Sequence, residues 1–280
     1  MCICKHIKIV HFYSLSYGDI ISSRIGVLGR TGAPDINDAG TPALLLVWIA
    51  CMDRTPARNN NKEYQVQVGN DITLEGELDL PDNPGGIVLF VHGSGSSRHS
   101  PRNKYVAEVL NDGGIATLLI DLLTADEEII DRQTTHLRFN IDLLAERLSL
   151  VTNWVKGQSG TGKLHLGYFG ASTGAAAALV AAAKHPEAVE AIVSRGGRPD
   201  LAGTWLAPVQ APTLLIVGGN DPIVIELNRQ AASQMRTTCR LEIIPGAGHL
   251  FEEPGTLERA AIFAREWFEE YLVLANRHVA

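Results

Sequence analysis

Three side chains, Ser172, Asp221 and His249, have the types and surroundings that nucleophilic acyl chemistry needs. Ser172 lies within Gly170-Ala171-Ser172-Thr173-Gly174, between an apolar run ending at Phe169 and an alanine-rich stretch that reads as a helix. A serine hydroxyl reaches a carbonyl carbon only when it stands clear of its own backbone, and a sharp strand–turn–helix bend achieves that. Such a bend crowds backbone against backbone, so it calls for glycine on both sides and small residues between. The following helix also aims its positive end at the place where negative charge would develop. A hydroxyl stays a weak nucleophile until a base takes its proton, and the base needs an orienting carboxylate. Gly219-Asn220-Asp221-Pro222 follows "TLLIVG" and Gly246-Ala247-Gly248-His249 follows "LEIIP", so acid and base come in order after the serine, each past an apolar run. Taken singly, Asp221 also reads as the cap of a helix opening near Pro222, and His249 as an ordinary loop histidine. Their joint placement favours the catalytic reading.

A fourth stretch, "LFVHGSGSSRHSPRN", follows the first long apolar run. His92-Gly93-Ser94-Gly95 can bring a backbone N–H beside the serine. With the amide of Thr173 it would make an oxyanion hole, worth about 3 kcal/mol in the transition state. Ser94 is the candidate second donor, with its glycine neighbours as alternatives, and His92 reads as a brace for the loop rather than as a base. Arg98, His99 and Arg102 lie on one side of this mouth, Arg195 and Arg198 on the other. Arg98 and Arg198 are the candidate substrate-binding residues, through a guanidinium paired with an anionic substrate group. The competing expectation is that they pair with Asp200 and the acids of "TADEEIID".

The elements that must position these groups are legible in the hydrophobic pattern. "YQVQV" and "ITLEGELDL" alternate apolar and polar residues around Gly69-Asn70-Asp71 and predict an antiparallel hairpin with one wet face. "GIVLFV", "IATLLI", "LHLGYF", "EAIVS", "TLLIVG" and "LEIIP" are nearly continuous apolar runs, as expected of strands buried on both faces. Between them lie helical stripes: Tyr105 to Leu110, Ile141 to Val155, Ala175 to Ala183, Glu226 to Met235, and the closing "TLERAAIFAREWFEEYLVL". The alternation predicts a mostly parallel, doubly wound α/β sheet with an antiparallel N-terminal edge hairpin. Ligands of such sheets sit beyond the carboxyl ends of the strands, where all four motifs fall. Only a short segment separates "IVSRGGRPD" from the strand at Thr213, so no cap domain is expected and the site should lie open. Gly157 to Lys163, "GQSGTGK", mimics a phosphate-binding loop, but a helix precedes it, a strand follows and Leu164 holds the place of the required Ser or Thr.

From about Tyr64 onward the sequence resembles the α/β-hydrolases and is most similar to their dienelactone-hydrolase-like branch. The resemblance rests on "HGSGSSRHSPRN", "GYFGASTGAAAAL", "IVGGNDPIV" and "GAGHLFEEPG". It implies nucleophile Ser172, acid Asp221 and base His249. Dienelactone hydrolases proper use a cysteine nucleophile where this chain has serine, which favours general ester hydrolysis over dienelactone itself. Lactone or thioester cleavage by the same machinery is the alternative, and a non-catalytic binding module on the same scaffold is the remaining one.

Bulk properties bound the rest. The formal charge of −7 argues against nucleic acid as a partner. The longest apolar run, Ala43 to Met52, is too short to span a bilayer and follows acids rather than a basic segment, so no membrane association is expected. Of four cysteines, three fall in the first 51 residues and Cys239 stands alone, so the body carries no disulfide framework and a cytoplasmic setting is expected. Cys2-Ile3-Cys4 lacks the spacing of a zinc site. A small-molecule ester is the expected partner, and neither a metal nor an organic cofactor is called for. Residues 1–60 show no lasting period and are expected to form an irregular extension ahead of a catalytic domain over 61–280, with Met52 a candidate natural start.

Overall fold

The computed structural model describes residues 62–69 and 72–274. The expected extension over 1–60, the candidate start at Met52 and the Asn70-Asp71 corner of the hairpin lie outside the described residues. The described strands are β1 (Lys62–Val68), β2 (Ile72–Asp79), β3 (Gly86–Val91), β4 (Ala116–Ile120), β5 (His165–Ala171), β6 (Ala191–Arg195), β7 (Thr213–Gly218) and β8 (Cys239–Ile244). They form one sheet in the order β1-β2-β4-β3-β5-β6-β7-β8. β1 pairs antiparallel with β2, and β2 antiparallel with β4; every other pairing is parallel.

Among the described residues six α-helices connect and cover the strands: α1 (Pro101–Asp112), α2 (Ala125–Thr134), α3 (Ile141–Gly157), α4 (Thr173–Lys184), α5 (Pro222–Gln234) and α6 (Thr256–Phe268). α3, α4 and α5 cover one face of the sheet, α1 and α6 the other. The alanines of α4 have a physical reason, since the helix is buried on all sides between the sheet and α3. Small side chains let the backbones approach closely there. The two largest side chains of the buried β5, Tyr168 and Phe169, point to opposite faces. Tyr168 reaches the Thr152 hydroxyl at 2.6 Å, and Phe169 stacks on Phe90 with ring centroids 4.7 Å apart, worth about 1 kcal/mol beyond area burial.

Two features depart from expectation. β8 is an edge strand in which Ile244 alone is fully buried, because no strand among the described residues pairs with its outer side. Helix α2 has no apolar stripe and escapes a periodicity search, yet a capping box defines its start. Thr124 Oγ1 accepts from the Glu127 amide, and Glu127 Oε2 accepts from the Thr124 amide. The β6–β7 connection holds only a 3₁₀ segment, Pro199–Leu206, so no cap domain covers the strand ends. The polar run from Gly157 is a turn between α3 and β5. No helix among the described residues is long and apolar enough to cross a membrane.

Candidate active site

Ser172 stands where β5 gives way to α4, at φ +50° and ψ −121°. That conformation costs a non-glycine residue roughly 1–3 kcal/mol and persists only where the surroundings enforce it. They do so through close packing. A Cβ on Gly170 would lie 2.4 Å from Ala175 Cα, and one on Gly174 would lie 2.4 Å from the Val91 carbonyl oxygen. Hydrogen bonds hold the bend from the β6 side. The Ser172 amide donates to the Arg195 carbonyl at 3.3 Å, and the Ser172 carbonyl accepts from the Arg198 amide at 3.0 Å.

Asp221 and His249 meet beyond the ends of β7 and β8. His249 Nδ1 lies 2.7 Å from Asp221 Oδ2. The other carboxylate oxygen, Oδ1, accepts the Val224 amide at 3.4 Å, so Asp221 is at once a helix cap and the partner of the histidine. The spacing between them is set by Asn220, whose amide donates to the Ala247 carbonyl at 2.9 Å and whose side chain donates to the Gly246 carbonyl at 2.8 Å. From beyond, Glu253 Oε2 accepts the Gly248 amide at 2.9 Å, and that bond holds the Glu253 carboxyl below its usual range. With Nδ1–H donated to Asp221, His249 keeps Nε2 as its free basic nitrogen. Its Cε1 lies beside Gly196, the residue after Arg195, whose carbonyl binds the Ser172 amide. No hydrogen bond joins the Ser172 hydroxyl to His249 in this structure; such bonds are often long without substrate and tighten when it binds.

The loop from His92 to Gly95 packs directly on the elbow, with a Cβ on Gly93 falling 2.9 Å from Ser172 Cβ. The Ser94 amide donates to Thr173 Oγ1 at 2.9 Å, so this candidate donor is engaged by the side chain of the other candidate residue. Beside both opens a cavity of about 520 Å³ lined in part by Leu122, Leu123, Leu144 and Arg138.

The two candidate substrate-binding arginines are both occupied. Arg98 donates its backbone N–H to Asp121 Oδ1 at 2.6 Å and Nη1 to Asp121 Oδ2 at 2.5 Å, while Nη2 reaches Glu75 at 2.7 Å. Arg198 grips Asp200 with two bonds of 2.8 Å each. The pairing alternative thus describes their geometry, although Asp121, beyond the end of β4, takes Arg98 in place of the acids of α2. Arg195 is not at the surface. Its guanidinium is buried between the rings of Phe169 and Phe251, at 6.0 and 5.8 Å, and donates to Asn103 Oδ1. Burial, with Arg102 nearby, pulls its pKa down to about 10. Phe251 belongs to the His249 loop, so Arg195 supports that loop from beneath. Cys239, the one cysteine among the described residues, lies on β8 with burial pushing its thiol up to about 11. Burial of this kind disfavours the thiolate that a cysteine nucleophile needs.

Asn220 and Arg138 were invisible as site residues in the sequence. Asn220 differs from any loop asparagine only through its two bonds to the opposite loop. Arg138 reaches the cavity only because α2, marked by the Thr124-to-Glu127 box, delivers Asp131 to hold it.

A mostly parallel sheet in this strand order, with an elbow serine after β5 and an acid and a histidine after β7 and β8, defines an α/β-hydrolase fold. The chain belongs to the dienelactone hydrolase family, whose family model matches residues 75–272. It is 60% identical to the solved dienelactone hydrolase from Anabaena variabilis, covering 76% of this chain and 99% of that one, with a TM-score of 0.74. Est1E from Butyrivibrio proteoclasticus, solved with ferulic acid bound, shares the fold alone at 19% identity, over 74% of this chain and 98% of that one, with a TM-score of 0.63. Among curated proteins, a putative phosphoribosyl transferase of Mycobacterium tuberculosis is 57% identical over 212 residues, 76% of this chain and 47% of that protein. The chain spans about half the length of the curated relatives it matches. Family and fold point to a hydrolase-class enzyme.

Proposed function

We propose that the protein is a serine carboxylesterase acting through Ser172, His249 and Asp221 by way of an acyl-enzyme. The observation that carries this reading is the 2.7 Å bond from His249 Nδ1 to Asp221, which leaves Nε2 to serve as base, together with a serine held at positive φ where β5 meets α4. Nε2 takes the Ser172 proton as Oγ attacks the ester carbonyl. Asp221 stabilises the imidazolium that forms and keeps the tautomer correct. The amides of Thr173 and Ser94 receive the oxyanion, which replaces the Thr173 hydroxyl as acceptor of the Ser94 N–H. The imidazolium then gives its proton to the leaving alcohol. Water, deprotonated by the same nitrogen, attacks the acyl carbon and returns Ser172. The cavity beside Ser94, with its leucines, is the site for the apolar part of the ester. The 60% identity to the solved dienelactone hydrolase from Anabaena variabilis favours a lactone as second substrate class. The phosphoribosyl transferase name belongs to proteins about half covered by this chain, and we read the shared part as their hydrolase module.

Fluorophosphonate labelling followed by peptide mapping tests the reading. Modification at Ser172, lost in His249→Ala, supports it; a label elsewhere, or none in a chain that still cleaves p-nitrophenyl acetate, overturns it. A panel of p-nitrophenyl esters beside lactones and thioesters then sorts the substrate classes.

A further inference from the structure

A second histidine of this molecule also sits against an aspartate, outside the proposed triad. His92 follows β3 and opens the oxyanion loop, and its ring is held on both sides. Nδ1 lies 2.9 Å from the Gly93 carbonyl oxygen, and Nε2 lies 3.3 Å from Asp121 Oδ1. A carbonyl oxygen only accepts. Asp121, bonded twice to Arg98, is an ionised acceptor as well. Burial alone would raise its carboxyl, but His92 and Arg98 outweigh that and hold it below the usual range. A neutral imidazole carries one N–H, so in either tautomer one ring nitrogen would turn its lone pair toward an acceptor oxygen. Only the doubly protonated ring satisfies both sides.

We infer that His92 is a half-buried imidazolium that locks the oxyanion loop, and that catalysis falls when this proton leaves. The inference deepens the proposed acyl-transfer reading and rests on it for the catalytic consequence. The locked segment is the one whose Gly93 packs on Ser172 and whose Ser94 amide bonds Thr173. Deprotonation turns a lone pair toward either the Gly93 carbonyl, which strains the turn of the loop itself, or Asp121, which weakens the tie between the loop and the end of β4.

The charges around the ring come from several elements. Asp121 follows β4, Arg98 belongs to the loop itself, and Glu128 approaches from α2. Across the cavity stand His99, Asp131, Arg132 and Arg138. Asp131 is held by Arg138, Arg132 reaches Glu128, and Arg98 is shared with Glu75 of β2. Burial by itself pulls the imidazole toward neutrality. Asp121, the Gly93 carbonyl and the charge of Glu128 outweigh it, and the net direction is upward. His92 is thus a positioning residue with a demand opposite to that of the base. His249 must be neutral to accept a proton, and His92 must be charged to hold the loop, so loss of the His92 proton lowers activity on the alkaline side of the pH profile.

The test has two arms, both on the full chain. In the first, nitrogen NMR of ¹⁵N-histidine-labelled protein counts ring N–H groups from neutral to alkaline pH. His92 is assigned by its loss in His92→Gln, or through Gly93 should that variant not fold. Two N–H groups on His92 above the pH where a free imidazole has lost its second proton are expected; a single N–H at neutral pH overturns the inference. In the second arm, kcat for p-nitrophenyl acetate is followed against pH. The wild type is expected to drop about 100-fold as His92 titrates, the scale of one lost oxyanion donor. His92→Gln keeps an N–H donor without a proton to lose, and flattens that limb. An alkaline limb unchanged in the variant overturns the inference. The two readings fail separately. Activity that survives Ser172→Ala sinks the acyl-enzyme and leaves the NMR result standing, while a neutral His92 in a Ser172-dependent enzyme does the reverse.

Discussion

His249 and His92 each face an aspartate, at 2.7 and 3.3 Å, and the two pairs could hardly differ more in what surrounds them. The His249 ring is 39% exposed, one nitrogen bonded to Asp221 and the other free. The His92 ring is 17% exposed, with both nitrogens facing acceptors and Arg98 added to the same carboxylate. A histidine with one nitrogen free can exchange a proton with a substrate. One with both nitrogens committed holds a loop in place. The same two side chains are therefore suited to act as base or as clamp according to the partner of the second nitrogen, the roles proposed for His249 and His92, and a count of histidines and aspartates in the sequence does not distinguish them.

Substitutions can break this contrast. The largest effect is expected at the proposed nucleophile, with Ser172→Ala lowering kcat for an ester by about a million-fold in a steady-state assay. Next comes one substitution made at both pairs. Asp221→Asn lowers kcat by about 10⁴-fold through the wrong His249 tautomer, with little change in the urea midpoint because asparagine still caps α5. Asp121→Asn acts on stability instead. It leaves Arg98 and His92 without their buried counter-charge, and urea denaturation should show a loss of about 3 kcal/mol. A variant pair with these outcomes interchanged would reverse the roles assigned to the two histidines.

The pH dependence of stability sharpens the same contrast. The folded carboxyl of Asp121 is held down, so its contribution is present above the ordinary carboxylate pKa and disappears as pH falls through the folded value. The folded imidazole of His92 is held up, so its contribution is complete below the ordinary histidine pKa and disappears as pH rises through the folded value. Together they place the greatest support of the loop between about pH 4 and pH 6.5, and melting curves should show a maximum there that His92→Gln flattens on its alkaline side. Arg198→Ala should do least. Its partly exposed pair with Asp200 is worth less than about 1 kcal/mol in a melting experiment.

Much of the fold was legible because buried parallel strands have to be apolar along their length. The runs at 86–91, 116–120 and 213–218 are β3, β4 and β7, and the stripe from Ile141 to Val155 is α3. α2 was not legible, since its stability comes from a capping box and from Asp131 bonded to Arg138 rather than from an apolar face. The fate of the arginines escaped for a related reason. Arg98, Arg195 and Arg198 share one side-chain type near one mouth, yet one is clamped by two carboxylates, one is buried between aromatic rings and one lies against its neighbour Asp200.

Local chemistry settled in the sequence what each short segment had to be. Glycines that admit no Cβ mark the Ser172 elbow, and apolar runs mark the strands whose ends carry the acid and the histidine, because sterics and desolvation act over a few residues at a time. The tertiary structure alone decided which carboxylate stands at each imidazole, since Asp121 reaches His92 only once β4 lies beside β3, and Asp221 reaches His249 only once β7 lies beside β8. Proton affinity depends on that assembled surrounding, and spacing along the chain carries no record of it.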